Sequence, residues 1–336
     1  KAAAAKRACR FPYLIEQGKE LDEDTQIGGL ALPFLAKARA LARFLLVVGK
    51  VQEFEGHPAR ALDTYLLILR LGDDVAQEGP LINGLVAIAC NSMGTRAIER
   101  CLVANDLDDA TLARTQKHVH DLWRRRPSLT VVLRVERPLA VEGTEYIIRN
   151  PQTFWKRMDE EPTADEKAWA EAVQTETGAE QFRRETRQFL DFMDEAASLP
   201  LPEYLEKQEE LKARIEAKLS AVSKARWEGI WRLPVQFGRA DLAWTVLDAV
   251  FALARYRAEH HEYPGSLDEV KDLMRSDGTD PFSGKPLRYR LELDGSFTLW
   301  SVGEDLKDDG GALGKSHNPW RGDDHVWNSA LIAAEE

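Results

Sequence analysis

Between Asp280 and Trp327 the sequence crowds carboxylates and glycines into loops. One stretch reads Ser-Val-Gly-Glu-Asp-Leu-Lys-Asp-Asp-Gly-Gly from Ser301, and another reads Gly-Asp-Asp-His-Val-Trp from Gly322. Irregular backbone rich in carboxylate and carbonyl oxygens is what a hard cation binds, and calcium, with about six to eight oxygen ligands, is the natural candidate. An EF-hand is excluded, because the Asp-x-Asp-x-Asp-Gly spacing with a glutamate at its twelfth position is absent. Asp277 and Asp294 each precede a glycine and read as turn residues.

Other clusters offer less. His118 and His120 are two apart on a helix, so their rings face apart and cannot easily share an ion. Glu259-His260-His261-Glu262 sits at a helix end, where the dipole favours histidine, and it lacks the His-Glu-x-x-His zinc spacing. Glu136, Glu142 and Glu145 are carboxylates that could do acid–base work, but Arg134, Arg137 and Arg149 lie nearby as salt-bridge partners. There is no Gly-x-Ser-x-Gly elbow, phosphate-binding loop or dinucleotide fingerprint. Trp155, Trp169 and Trp320 offer aromatic surface for glycan or peptide, although nine tryptophans more simply mean core and interdomain packing.

A net charge of -11 argues against non-specific nucleic-acid binding and against adhesion to anionic lipid, and it suits a cation. The spacings of Cys9, Cys90 and Cys101 fit no zinc pattern; Cys90 and Cys101 lie among apolar neighbours, and all three read as inert structural thiols. The longest apolar run, Ala40 to Val48, is broken by Arg43 and is far below the roughly 20 residues of a membrane span. The first residue is Lys1, which reads as a mature or truncated chain whose membrane attachment, if any, lies in an N-terminal anchor outside it.

The elements that must position these residues fall into two domains over 336 residues. Residues 1–233 read as an all-helical domain and residues 234–336 as an α+β domain, so the fold class is α+β, mostly α. Lys1 to Arg7 is a helix former, ended by Cys9-Arg10-Phe11-Pro12-Tyr13 and a polar loop through Gly28-Gly29. A 3.6 period from about Pro33 predicts a helix, and Gly56-His57-Pro58 turns the chain into a partner carrying Ala61, Leu62, Tyr65, Leu66 and Leu69 on one face. Gly49, Gly56, Ala61 and Tyr65 fall where a tetratricopeptide repeat wants small, small, small and aromatic residues, so this hairpin resembles one such repeat. Leu81 to Val103 is apolar almost all round and predicts a central buried helix. Asp106 to Asp109 should cap a helix running to Arg126, and Ser128 to Ile148 a further one that Pro138 should kink or split. Met158 to Val222 predicts three charged amphipathic helices broken at Thr177-Gly178 and at Leu199-Pro200-Leu201-Pro202. Asp241 to His261 is a long helix, stopped by Tyr263-Pro264-Gly265, and Ser266 caps a short one. Leu287, Tyr289 and Leu291 then alternate with charge, Asp294-Gly295 is a hairpin turn, and Phe297, Leu299 and Ser301 continue on the returning strand.

Taken in order, Tyr256-Arg257, Tyr263-Pro264, Asp280-Pro281-Phe282, Gly284, Ser301-Val302-Gly303, Asp305 and Asp323-Asp324 make residues 240–328 resemble the globular domain of the major pseudopilin of bacterial type II secretion systems. The likeness covers roughly a quarter of the chain. The whole chain is similar to bacterial proteins, often membrane-anchored and found in planctomycetes, that join a helical domain to this module. The resemblance implies a calcium site that holds the C-terminal segment on the sheet. Its ligands would be the side chains of Asp305, Asp323 and Asp324 and the carbonyl of Val302, with Asp308 and Asp309, in a locally acidic insertion, replacing or supplementing them. It departs from the family in three ways: a helical domain stands where the membrane helix would be, His261 replaces the glycine after the long helix, and the insertion from Gly310 to Arg321 is long. The resulting expectation is a non-enzymatic, extracytoplasmic scaffold that binds a protein partner through its helical domain. The alternative is a hydrolase with its site in the groove between the domains.

Overall fold

The computed structural model describes residues 32–77, 79–151, 164–312 and 324–334. The expected N-terminal helix, Cys9, Trp155, Trp320, Asp323 and most of the insertion after Gly310 lie outside the described residues. The protein is mostly helical, with a small three-stranded antiparallel sheet, as the α+β reading expects. The chain divides into two compact units: the residues up to Pro127 with those from Phe237 onward, and Ser128–Gln236. The later junction lies close to the expected boundary at Leu233-Pro234. The earlier one has no counterpart in the sequence reading.

In the first unit, α1 (Leu32–Phe54) and α2 (Pro58–Ala76) form the expected hairpin, and α3 (Leu81–Ala104) packs on both. Gly56, at φ 78°, makes the turn, and Pro58 opens α2 where its missing N–H costs nothing. A Cβ on Gly49 would fall 2.1 Å from Cε1 of Tyr65, a fully buried ring whose hydroxyl donates to Glu53. Glu53 also accepts from Arg100 and Asn105, at 2.5 and 3.3 Å, so the ring is held at its far end as well. Gly49→Ala should therefore lower unfolding free energy by about 1–3 kcal/mol despite alanine's better helix propensity, as urea titration would show. Leu69 closes on Gly94 in the same way, and Ile68, Ile98, Cys101 and Leu102 fill the space between α2 and α3. Burial pushes the Cys90 thiol up to about 11 and that of Cys101 higher still, which makes both poor nucleophiles.

Asp108 caps α4 (Asp109–Trp123), its carboxylate accepting from Thr111 N–H at 2.8 Å. The helix stops three residues short of the expected Arg126, in a turn whose N–H groups bond back to His120, Leu122 and Trp123. The long helix α10 (Leu233–His260) starts eight residues before the expected Asp241. Pro234, taken from the sequence as the start of the second domain, sits in its first turn, where proline is tolerated. From Leu242 to Ala254 its side chains are buried all round, not along one side. After a 3-10 turn (Leu267–Leu273), whose Ser266 N–H donates to Glu269 at 2.9 Å, come β1 (Arg288–Leu291), β2 (Phe297–Ser301) and β3 (His325–Asn328). β2 is central and wholly buried, pairing Leu291 with Phe297 on one side and Ser301 with His325 on the other. Gly295, at φ 83°, makes the hairpin turn. β3 and the closing helix α11 (Ser329–Ala334), which lies against α3 and the sheet, were not read from the sequence.

The second unit contains α5 (Leu129–Arg149), α6 (Ala164–Val173), α7 (Glu176–Ser198), α8 (Leu201–Glu216) and α9 (Ala221–Arg226). Pro138 does not split α5: it lies on the exposed side, where solvent can satisfy the carbonyl it leaves unpaired. The break expected at Thr177-Gly178 comes earlier. Thr175 caps α7 by accepting from Gly178 N–H at 3.1 Å. A Cβ on Gly178 would meet the Ala172 carbonyl at 2.0 Å, so this glycine permits close approach and does not stop a helix. Phe182, Phe189, Phe192 and Met193 form the core, with Phe189 stacked on Trp227 at 4.4 Å.

Candidate metal centre

The acidic loop is built outward from Asp280, which is fully buried. Its carboxylate accepts from Phe282 N–H at 3.0 Å and from the hydroxyls of Ser283 and Ser301 at 2.8 Å each. That ties the Asp-Pro-Phe turn to the end of β2, where Gly303, at φ 69°, turns the chain into the loop. The loop then folds back over the hairpin. Arg288 donates to Asp308 at 2.6 Å, the Trp300 indole donates to the same carboxylate at 3.0 Å, and Arg290 donates to the Gly310 carbonyl at 3.0 Å. Gly311, at φ 68°, lies so close to the Trp300 ring that an added Cβ would sit 2.8 Å from it.

Asp324 stands where the chain enters β3, and it is 2% exposed. Its Oδ2 accepts from Gly311 N–H at 2.8 Å, while Oδ1 is buried without a hydrogen-bond partner. Burial pushes this carboxyl above the usual aspartate range. The Gly311 and Asp309 N–H groups pull it back in part, and the charges of Asp308 and Asp309 push it up further. A buried, unpaired carboxylate oxygen beside two more carboxylates is a place where a cation would restore balance.

The other expected ligands fare differently. Val302 is buried at the head of the loop. Asp305 is turned into its own bend, accepting from Lys307 N–H at 3.1 Å with the Lys307 ammonium 3.8 Å away. Asp308 is held by Arg288, Trp300 and Gly310 N–H, and these bonds, the indole first, keep its carboxyl below the usual range. Asp309 is exposed, and Asp323 lies outside the described residues. Among the described residues no three His, Cys, Asp or Glu side chains converge in a metal-binding group. Of the expected ligands that are described, Asp324 is the one left with an unpaired carboxylate oxygen, whereas Asp305 and Asp308 already have partners.

The remaining clusters are occupied by structure. His118 is exposed, while His120 packs edge-on to Trp123 at 6.0 Å, on either side of buried Val119. His260 stacks on Tyr256 at 4.0 Å. His261 adopts φ 62°, so histidine takes the left-handed position expected of glycine, its N–H bonded to the Arg257 carbonyl at 2.8 Å. Glu145 pairs bidentately with Arg183, at 2.6 and 2.8 Å, and not with the arginines expected from the sequence; Arg137 pairs with Asp191 and Asp194. Trp169 packs edge-on to Phe182. A cavity of about 500 Å³ is lined by Asn105, Asp106, Asp108, Arg257 and His261 among others, but the guanidinium of Arg257 faces backbone carbonyls.

Two polar anchors, one buried and one half-buried, have structural roles that the sequence reading did not assign. Asp248 is 3% exposed within α10. It accepts from Gln116 at 2.8 Å, from Arg275 and Ser276 N–H at 2.9 and 2.8 Å, and from the Ser276 hydroxyl at 2.8 Å. Arg257 donates to the carbonyls of Leu102, Val103 and Asn105 at 3.1, 2.9 and 2.9 Å, closing the C-terminus of α3. A lone carboxylate inside an apolar helical run was the available signal for the first.

No family profile, curated protein or solved structure matches the chain.

Proposed function

We propose that this chain is a non-enzymatic scaffold whose C-terminal loop is fastened by calcium, with a protein partner bound through its helices. The buried, partnerless Oδ1 of Asp324 carries the reading. Asp324 and Asp309 would hold the ion, with Asp323 and the Val302 carbonyl as the resemblance implies. The ion would neutralise the carboxylates and cross-link the loop to β3, offsetting the ordering entropy of a long irregular segment. The pseudopilin likeness supports placing the protein outside the cytoplasm, fastened to the cell envelope. No described helix is long and apolar enough to cross a membrane. The charged faces of α6 to α8 are the surface offered to a partner.

Calorimetry with calcium and with chelator tests the site. Calcium at about a hundred times its dissociation constant should stabilise the native protein by about 2.7 kcal/mol. Asp324→Asn should abolish that response and, in chelator, melt above the wild type, because it removes an unpaired buried charge. The pH dependence has a definite sign. A carboxyl raised in the folded state costs stability above its unfolded value, and the cost disappears as pH falls through the raised folded value. In chelator, mild acidification should therefore narrow the gap between wild type and Asp324→Asn. Unchanged melting in chelator, together with no retained calcium, would remove the assignment.

A further inference from the structure

The sheet ends in an open edge at β1. Glu292 N–H donates to the Ser296 carbonyl at 2.7 Å, Arg290 stands opposite Thr298 and Arg288 opposite Trp300, so the even-numbered positions turn their backbone groups to β2. The odd-numbered positions turn theirs the other way. Leu287 N–H donates on that side to the Gly278 carbonyl at 2.9 Å, which closes the first stretch of the edge. Beyond it, among the described residues, no hydrogen bond reaches the backbone groups of Tyr289 and Leu291 or the N–H of Leu293. The side chains are open as well: Arg290 is exposed, Leu291 is 40% exposed, and Leu293 at the hairpin tip is fully exposed. An open edge carrying exposed apolar side chains is a template for a further strand.

We propose that the occupant is β1 of a second copy, laid antiparallel about a two-fold axis at Leu291, so that the three strands of each copy join in one sheet. Charge selects both the occupant and the register. Centred on Leu291, the pairing sets Arg290 of each copy opposite Glu292 of the other, on the face where Arg290 already donates to Glu292 of its own chain at 3.0 Å. Positive and negative side chains then alternate across the axis. On the opposite face the two Leu291 side chains meet and each Leu293 lies beside the Tyr289 of the other copy, which covers the apolar surface left open in the single chain. Leu291 exchanges both backbone bonds with its mate, and Leu293 N–H reaches the Tyr289 carbonyl. The neighbouring registers fail on the same groups. Centred on Arg290, the pairing sets the two Arg290 guanidinium groups opposite each other. Centred on Tyr289, it sets Arg288 against Arg290 and asks Leu291 to bond with Leu287, whose N–H Gly278 already takes. The pairing stands independently of the proposed cation.

Leu291→Cys and Arg290→Cys, each made in the full chain with Cys9→Ser, test the register. Cys90 and Cys101 are fully buried and do not compete. In this register the Cα atoms of the two copies are about 5.5 Å apart at position 291, within disulfide reach, and about 8 Å apart at position 290, beyond it. Under mild oxidation with copper–phenanthroline, Leu291→Cys should form a covalent dimer at least about tenfold faster than Arg290→Cys. Sedimentation equilibrium of the unmodified chain should show monomer and dimer exchanging with concentration. Arg290→Glu, which sets acid against acid twice across the axis, should raise the dissociation constant about tenfold. Adding Glu292→Arg restores opposite charges and should return the constant to within about threefold of the wild type. A chain monomeric at every concentration would overturn the inference, as would cross-linking at position 290 as fast as at 291, or none at 291. So would a dissociation constant that the charge exchange leaves unmoved or does not restore.

Discussion

Replacing Asp248 by alanine lowers the unfolding free energy by about 3–5 kcal/mol, the largest expected effect of any single polar substitution. The carboxylate is 3% exposed and receives four hydrogen bonds, two of them from the backbone N–H groups of Arg275 and Ser276. Alanine leaves those N–H groups, the Ser276 hydroxyl and the Gln116 amide facing a gap that solvent does not fill. Asn is the informative second variant. Its amide oxygen can replace Oδ2, which takes three of the four bonds, but its NH2 then points at the Gln116 NH2. Gln116 can resolve that clash only by flipping, which gives up its 2.9 Å bond to the Leu273 carbonyl. Asp248→Asn should therefore fall between wild type and alanine, at about 1–3 kcal/mol. Equilibrium denaturation of the three proteins gives the order directly, and an alanine variant as stable as wild type would show that the 3-10 turn does not depend on this anchor.

Arg257→Ala should cost about 3 kcal/mol. A helix leaves its last carbonyls unpaired, and they carry the negative end of its dipole. Here one guanidinium answers three carbonyls at the end of α3, and it also donates to the Tyr263 hydroxyl at 2.8 Å and lies 5.2 Å over the Tyr263 ring. Lysine keeps the charge but not the planar fork that spans these acceptors, so Arg257→Lys should recover less than half of the loss. Thermal unfolding separates a charge effect from a geometric one. Near-complete rescue by lysine would mean that the dipole, and not the fork, is what Arg257 serves.

Both anchors explain why part of the architecture was legible and part was not. Helix periods, the Gly56-His57-Pro58 turn, the Asp294-Gly295 hairpin and the Ser266 start of a short helix depend on residues within a few positions of one another, and each appears where its local chemistry placed it. The misplaced boundaries have local causes as well. Pro234 and Gly178 are punctuation residues that sit inside helices, because a first turn tolerates the one and a close backbone approach requires the other. β3 was missed because four residues after an insertion carry too little alternation to be seen without the strand they pair with.

The acidic loop divides in the same way. Its composition, its glycines and its position after β2 could be read directly, since carboxylates and left-handed turns are properties of single residues. Which carboxylates are free to hold an ion was not, because that depends on partners brought from elsewhere. Arg288 and Trp300 claim Asp308, Lys307 folds onto Asp305, and Gly311 meets only one oxygen of Asp324. The sequence by itself determined the helices, the hairpin and an acidic loop beside it. Tertiary structure decided that residues up to Pro127 and from Phe237 onward form one unit, and that Asp324 is the carboxylate left short of a partner. The physical reason is one of range. Periodicity and turns are set by neighbours in the chain, whereas Arg257 finds its carbonyls 152 to 155 residues away, and satisfying buried polar groups at that distance requires the whole fold.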